Sequence, residues 1–191
     1  MKFYTNVSRY GNMILLRGYE NGSRYEKKIK YQPTDACCLC GNAETRSHLF
    51  MCMAPPRIKW KVKYITALRK LLSNRGTSPI IIDILCTAIT EYLDTGSVIV
   101  TNYHHKFHNI LQSQTKIGWR QILLGKLSQE WSKRHSDLTN NPQEALLWEA
   151  SIIELSLRHT IILWEERNKA VHGHTQREQN RLLVHRHREE I

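Results

Sequence analysis

The chain has 191 residues, 41% of them hydrophobic and 24% charged, which suits one ordinary domain or a small module joined to a helical one and excludes disorder as the default. No apolar run approaches the roughly 20 residues of a membrane helix, and the patch from Met13 to Leu16 is too short for a secretory signal; the expected setting is intracellular, nuclear or cytoplasmic, with no membrane partner. The 28 Lys and Arg against 17 Asp and Glu give a net charge of +11, a surplus that favours a polyanionic partner, RNA or DNA.

Residues 1–36 form a basic, Tyr-rich segment punctuated by glycine, with the weak periodicity of short strands or turns. Residues 37–54 carry four of the five cysteines. Cys37, Cys40, His48 and Cys52 are spaced C-x2-C-x7-H-x3-C. The first pair is separated as a tight turn requires to present two thiolates to one ion, and Gly41 suits the open backbone of such a turn. His48 and Cys52 lie one helical turn apart and so share a face. Three thiolates and an imidazole are the donor set of a structural, four-coordinate Zn2+ site, which leaves no position for a reacting water. Cys38 can replace Cys37 in a shifted register, so the first ligand stays open between them. An odd cysteine count without a secretory signal argues against a disulfide framework.

Residues 55–191 read as a helical bundle with basic first and last helices. Pro55-Pro56 ends the knuckle and opens a helix to about Ser73, with Ile58, Val62, Ile65, Leu68 and Leu72 as its expected apolar face. From Arg46 to Ile82 there are eight basic residues and no acid. Lys59, Lys63 and Lys70 gather within about 40° of helix surface, and together with Arg46 and Arg57 they are the candidate phosphate contacts. Trp60 and Tyr64 suit either base stacking or the core. Ser78-Pro79 starts a second helix that ends before Gly96, in which Cys86 is a small core residue. Val98 to Thr101 reads as a β-prone connector. A further helical stretch covers about 103–136, broken near Gly118, with Ile122, Leu123, Leu127 and Trp131 facing inward. His104, His105 and His108 lack a neighbouring acid or Cys and read as exposed, as do His185 and His187.

The clearest element runs from 142 to 172, opened by Asn141-Pro142 and stopped by Gly173. It carries one apolar stripe of Leu146, Ala150, Ile153, Leu157, Ile161, Trp164 and Val171, and a second of Trp148, Ile152, Leu155 and Ile162. Apolar residues on two sides predict a central helix sandwiched between neighbours. Thr175 and Glu178 form a capping box for a last basic helix. The expected fold is therefore mainly α, a small CCHC knuckle followed by a helical bundle.

The string CCLCGNAETRSHLFMC, followed by a Trp-containing basic helix, resembles the zinc-binding region that follows the reverse transcriptase domain of non-LTR (LINE-type) retrotransposons. IGWRQILLGKLSQEW and LWEERNKAVHG resemble the helical C-terminal parts of the same polyproteins. The resemblance implies a non-catalytic nucleic-acid-binding module, from an element or a remnant of one, partnered with a reverse transcriptase domain, with Cys37, Cys40, His48 and Cys52 as zinc ligands. The chain has no Asp-Asp pair for a polymerase and no recognisable endonuclease carboxylate set. A rival class rests on Arg167, Asn168 and His172, an R-N-x3-H string that resembles the motif of HEPN-type metal-independent ribonucleases; there His172 would act as general acid/base and Arg167 would stabilise the phosphate. A purely structural or protein-interaction helical module is the third class.

Overall fold

The computed structural model describes residues 36–173 together with Arg177, Glu178 and Arg181. Residues 1–35, Thr175, and His185 and His187 lie outside the described residues, as does the side chain of His172. Among the described residues the protein is mainly α, with a Cys3His knuckle ahead of a helical bundle and no β-strand beyond a single antiparallel bridge, Ala36 to Ala43. The α-helices are α1 (His48–Met51), α2 (Pro55–Asn74), α3 (Pro79–Thr95), α4 (His108–Ile117), α5 (Arg120–Leu123), α6 (Gln129–Thr139) and α7 (Pro142–His172). No described helix is long and apolar enough to cross a membrane.

The chain divides into two compact units, and the division is not linear in sequence. The larger holds residues 55–160. The smaller joins the knuckle to the end of α7, from Ile161 onward. Sequence order assigns α7 wholly to the bundle; in the structure it serves both units.

In the larger unit α2 and α7 run antiparallel, and their polar contacts form a ladder. The Trp60 indole N–H donates to the His159 carbonyl at 2.9 Å, the Tyr64 hydroxyl meets Ser156 Oγ at 2.8 Å, and Arg75 donates to Ser151 Oγ at 2.7 Å. At the far end the Trp148 indole donates to Thr77 Oγ1 at 2.7 Å. Each buried aromatic thus hides its ring and still satisfies its polar tip, which is why large amphipathic side chains suit this seam. Burial in that seam raises the Tyr64 phenol well above its ordinary range, so it stays neutral and can donate.

This ladder changes the buried face of α2 from the expected one. Arg57, Trp60, Lys61, Tyr64, Leu68 and Leu72 face inward, whereas Ile58 and Val62 are 40% and 61% exposed. Trp60 and Tyr64 are therefore core residues and cannot stack on bases. Two aromatics outweigh two aliphatic residues in buried area, so the helix turns its aromatic edge to α7. Lys61 tolerates the inward position because its ammonium bonds the Leu93 carbonyl at 2.6 Å and Asp94 at 3.1 Å, at the C-terminal end of α3, where a cation is welcome.

Helix α3 ends at Gly96, whose φ of 83° only glycine adopts without penalty. The connector after it departs from its β-prone sequence: it is a 3-10 turn, Val100–Asn102, held by Glu91, which accepts from the Ile99 amide and the Tyr103 hydroxyl. Local hydrogen bonding has overridden β-branched propensity, as it does where no partner strand exists. Gly118 and Gly125 divide the following stretch into three short helices, with φ of 97° and 81°. Ile122, Leu123, Leu127 and Trp131 are buried as the pattern predicts, and so is Cys86.

Helix α7 has the expected bounds, with Asn141 Oδ1 capping the Glu144 amide and Gly173 beyond its last turn at φ 87°. Each expected stripe is buried only in part, the first at Leu157 and Val171 and the second at Trp148 and Ile152. Ala145, Trp148, Ile152, Ser156, Thr160, Leu163, Arg167 and Val171 are buried, while Leu146, Leu147, Ile161 and Ile162 are 39–55% exposed. The inward stripe includes Ser156, Thr160 and Arg167, which an apolar count passes over.

Candidate metal centre

The knuckle begins with a turn closed by two backbone bonds: the Gly41 amide donates to the Cys37 carbonyl at 2.8 Å, and the Cys37 amide to the Asn42 carbonyl at 2.7 Å. Gly41 sits at φ 77°. That turn folds Cys37 and Cys40 to one side. On the other side, Thr45 caps α1: its carbonyl and its hydroxyl both accept from the His48 amide, at 3.1 and 3.2 Å. The Cys52 amide donates to the His48 carbonyl at 2.7 Å, which fixes these two side chains one turn apart.

The four donor atoms of Cys37, Cys40, His48 and Cys52 all lie within 4.8 Å of one another. Cys37 and Cys52 Sγ are 4.0 Å apart, and Cys40 Sγ lies 3.2 Å from His48 Nε2. A tetrahedral zinc ion with ordinary bond lengths sets its sulfurs about 3.8 Å apart and a sulfur and nitrogen about 3.5 Å apart. These two spacings lie close to those values, and the four residues are near enough to one another to hold a metal ion. The group of donors that could hold an ion includes Cys37 and not Cys38; Cys37 is buried and Cys38 exposed.

Cys37 and Cys52 pack with Ala54 and Leu39 in a small apolar cluster, while Cys40 faces solvent. Burial pushes the Cys52 thiol up to about 11. A backbone hydrogen bond near Asn42 instead lowers that of Cys40. Without a cation the group cannot carry three thiolates cheaply, whereas a bound dication supplies the charge that deprotonates them.

Loop residue Glu44 is the one acid between Cys37 and Cys52. Its carboxylate is 8% exposed and accepts from Arg167 of α7, with Nη2 at 2.7 Å and Nε at 3.3 Å from both oxygens. The Arg167 side chain is 1% exposed, and its guanidinium lies 5.4 Å from the Trp164 ring centroid. Sequence reasoning misses this pair. Its only signals are an isolated acid just ahead of a basic run and an arginine late in a helix, and the two stand 123 positions apart. A phosphate-stabilising role for Arg167 would require this buried ion pair to open.

The basic candidates divide. Arg46, Lys59, Lys63 and Lys70 are exposed. On α2 the three lysines lie about 120° round the helix from the middle of the buried Trp60–Tyr64–Leu68 stripe, at 100° per residue. Arg57 groups with them by sequence, but it lies on the inward stripe and is only 2% exposed, so it leaves the phosphate-contact set. His104 and His105 are exposed and stack on each other, and His108 Nε2 lies 2.8 Å from the Tyr103 carbonyl. The metal-ligand grouping found among the described residues is the Cys3His set. Comparison with known protein families, with characterised proteins and with solved structures finds no match for this chain.

Proposed function

We propose that this chain is a non-catalytic, zinc-dependent nucleic-acid-binding module, working beside a reverse transcriptase domain of the non-LTR retrotransposon type. The observation that carries this reading is the convergence within 4.8 Å of four soft and borderline donors, the donor set of a closed tetrahedral site. Zinc is the metal that best suits three thiolates and one imidazole. Such a site organises a loop and supplies folding free energy on the order of 10 kcal/mol, without performing chemistry.

Polyanion binding is supported by the exposed lysine ridge of α2. That helix carries no acid, so Lys59, Lys63 and Lys70 present an uncompensated row of charge on its outer side. With Trp60 and Tyr64 turned inward, the ridge offers charge rather than a stacking platform. It reads backbone phosphates, not base identity.

The test combines metal content with salt dependence. Native mass spectrometry should find one zinc per chain, removed by chelator and absent from Cys40→Ser. Binding to a short RNA or DNA duplex should weaken steeply with salt, and replacing Lys59, Lys63 and Lys70 by Ala should lower the log–log slope by about 1 for each phosphate no longer engaged. A wild-type protein that binds no metal refutes the zinc assignment. A flat salt response refutes the phosphate ridge.

A further inference from the structure

We propose that Arg167 is a positioning residue of the metal centre, holding the loop between the two ligand pairs through its buried ion pair with Glu44. This rests on the reading that Cys37, Cys40, His48 and Cys52 bind zinc. The loop has secure anchors at both ends: the turn at Gly41 with the Ala36–Ala43 bridge on one side, and the Thr45 cap of α1 on the other. Glu44 lies between those anchors, four residues after Cys40 and four before His48. At that midpoint its carboxylate accepts from a guanidinium rooted on a helix of 31 residues.

The geometry suits positioning better than a loose tether. Arg167 Nη2 and Nε both reach the carboxylate, a two-point contact that fixes direction as well as distance. The guanidinium is held in turn by the face of Trp164 and by Asn168 Oδ1 at 3.4 Å from Nη1. Both partners of the pair are almost fully withdrawn from solvent, where a single unpaired charge is strongly unfavourable. The loop therefore cannot swing outward and leave Arg167 behind. A zinc site tolerates only about 0.2 Å of error in its bond lengths, so a seven-residue loop pinned at its middle presents Cys40 and His48 together at their 3.2 Å spacing.

The experiment uses the full chain as wild type, Arg167→Met, Arg167→Lys and Glu44→Gln. Zinc affinity is read by competition with a chelator of known strength, ligand geometry by the visible absorption of the cobalt-substituted protein, and helicity by far-UV circular dichroism. Arg167→Met and Glu44→Gln should weaken zinc binding by about tenfold or more, the scale set by removal of an outer-sphere partner, and should broaden or shift the cobalt bands. Arg167→Lys, which keeps the charge but loses the fork, should recover part of the affinity. If Arg167→Met loses helicity, Glu44→Gln carries the comparison, because it keeps the side chain's shape. Variants that bind zinc as tightly as wild type, with an unchanged cobalt spectrum, overturn the proposal even if they melt earlier. A wild-type chain that binds neither metal removes the zinc reading on which the proposal rests, a failure visible before any variant is made.

Discussion

His135 shows what a single buried side chain can impose. Its ring is fully buried, stacks on Trp148 at 4.9 Å and 15°, and neither nitrogen has a hydrogen-bond partner among the described residues. Burial holds its pKa below the ordinary imidazole value, with Glu144 pulling weakly the other way. The unfolded chain therefore takes up a proton near pH 6.5 that the native protein refuses. Stability from this site is complete above that value and falls as pH drops toward the lower native pKa, by up to about 1.4 kcal/mol per pH unit. His159, depressed by burial and by Arg158 and Lys63, acts in the same direction. Glu149, raised by burial, acts in the opposite one: its contribution is full below its unfolded pKa and is lost as pH rises through the native value. Comparing wild type with His135→Phe, which keeps an aromatic ring against Trp148, isolates the imidazole. The variant's melting temperature should fall less between pH 7 and 5; equal losses would show that His135 is not the source. Residue chemistry is readable from sequence where partners are near in the chain, as for the four ligands and the Gly41 turn. It is not readable for Arg57, Lys61 or the Glu44–Arg167 pair, whose roles depend on what other segments place beside them.

At the scale of the element, breaks and ends are legible and faces are less so. Pro79, Gly96, Gly118, Pro142 and Gly173 mark helix boundaries because proline and glycine act through local backbone geometry. Periodicity assigns the inward face of α2 to aliphatic residues because it counts apolar positions without weighing ring size or the bonds available to Trp60 and Tyr64. Two glycines separate the costs of such geometry. Gly125 and Gly41 both have positive φ, 81° and 77°, but a Cβ at Gly125 would lie 3.3 Å from Ile153 and Leu157 side-chain carbons, and one at Gly41 would meet nothing within 4 Å. Gly41→Ala should therefore cost only the backbone penalty, about 1 kcal/mol, whereas Gly125→Ala adds crowding and should cost more. Urea denaturation of the two variants beside wild type checks the order; a larger loss at Gly41 would contradict it.

At the scale of the whole molecule, the mainly helical class and the knuckle follow from periodicity and ligand spacing, but the division into units does not. Helical periodicity reports which side of a helix is buried, not which distant segment covers it, so the joining of 37–54 with the last turns of α7 leaves no local trace. That division predicts where metal removal is felt. Chelation should leave far-UV circular dichroism nearly unchanged, because the helices of the larger unit lie between residues 55 and 160. Hydrogen exchange should rise in 36–54 and 161–172 and stay constant across α3 and α4. Uniform acceleration along the chain would mean that the metal supports both units equally.

The bond between the Trp60 indole and the His159 carbonyl shortens the closure that joins Glu44 to Arg167. In a disordered chain, bringing Glu44 to Arg167 closes a loop of 123 residues, at an entropic cost of roughly 4 kcal/mol. Once α2 and α7 are zipped together, the ends of the larger unit lie side by side at Trp60 and His159, and only short flanking segments remain to be joined. The closure that joins Glu44 to Arg167 then spans only the short stretches outside that bond, at a lower entropic cost than in the open chain.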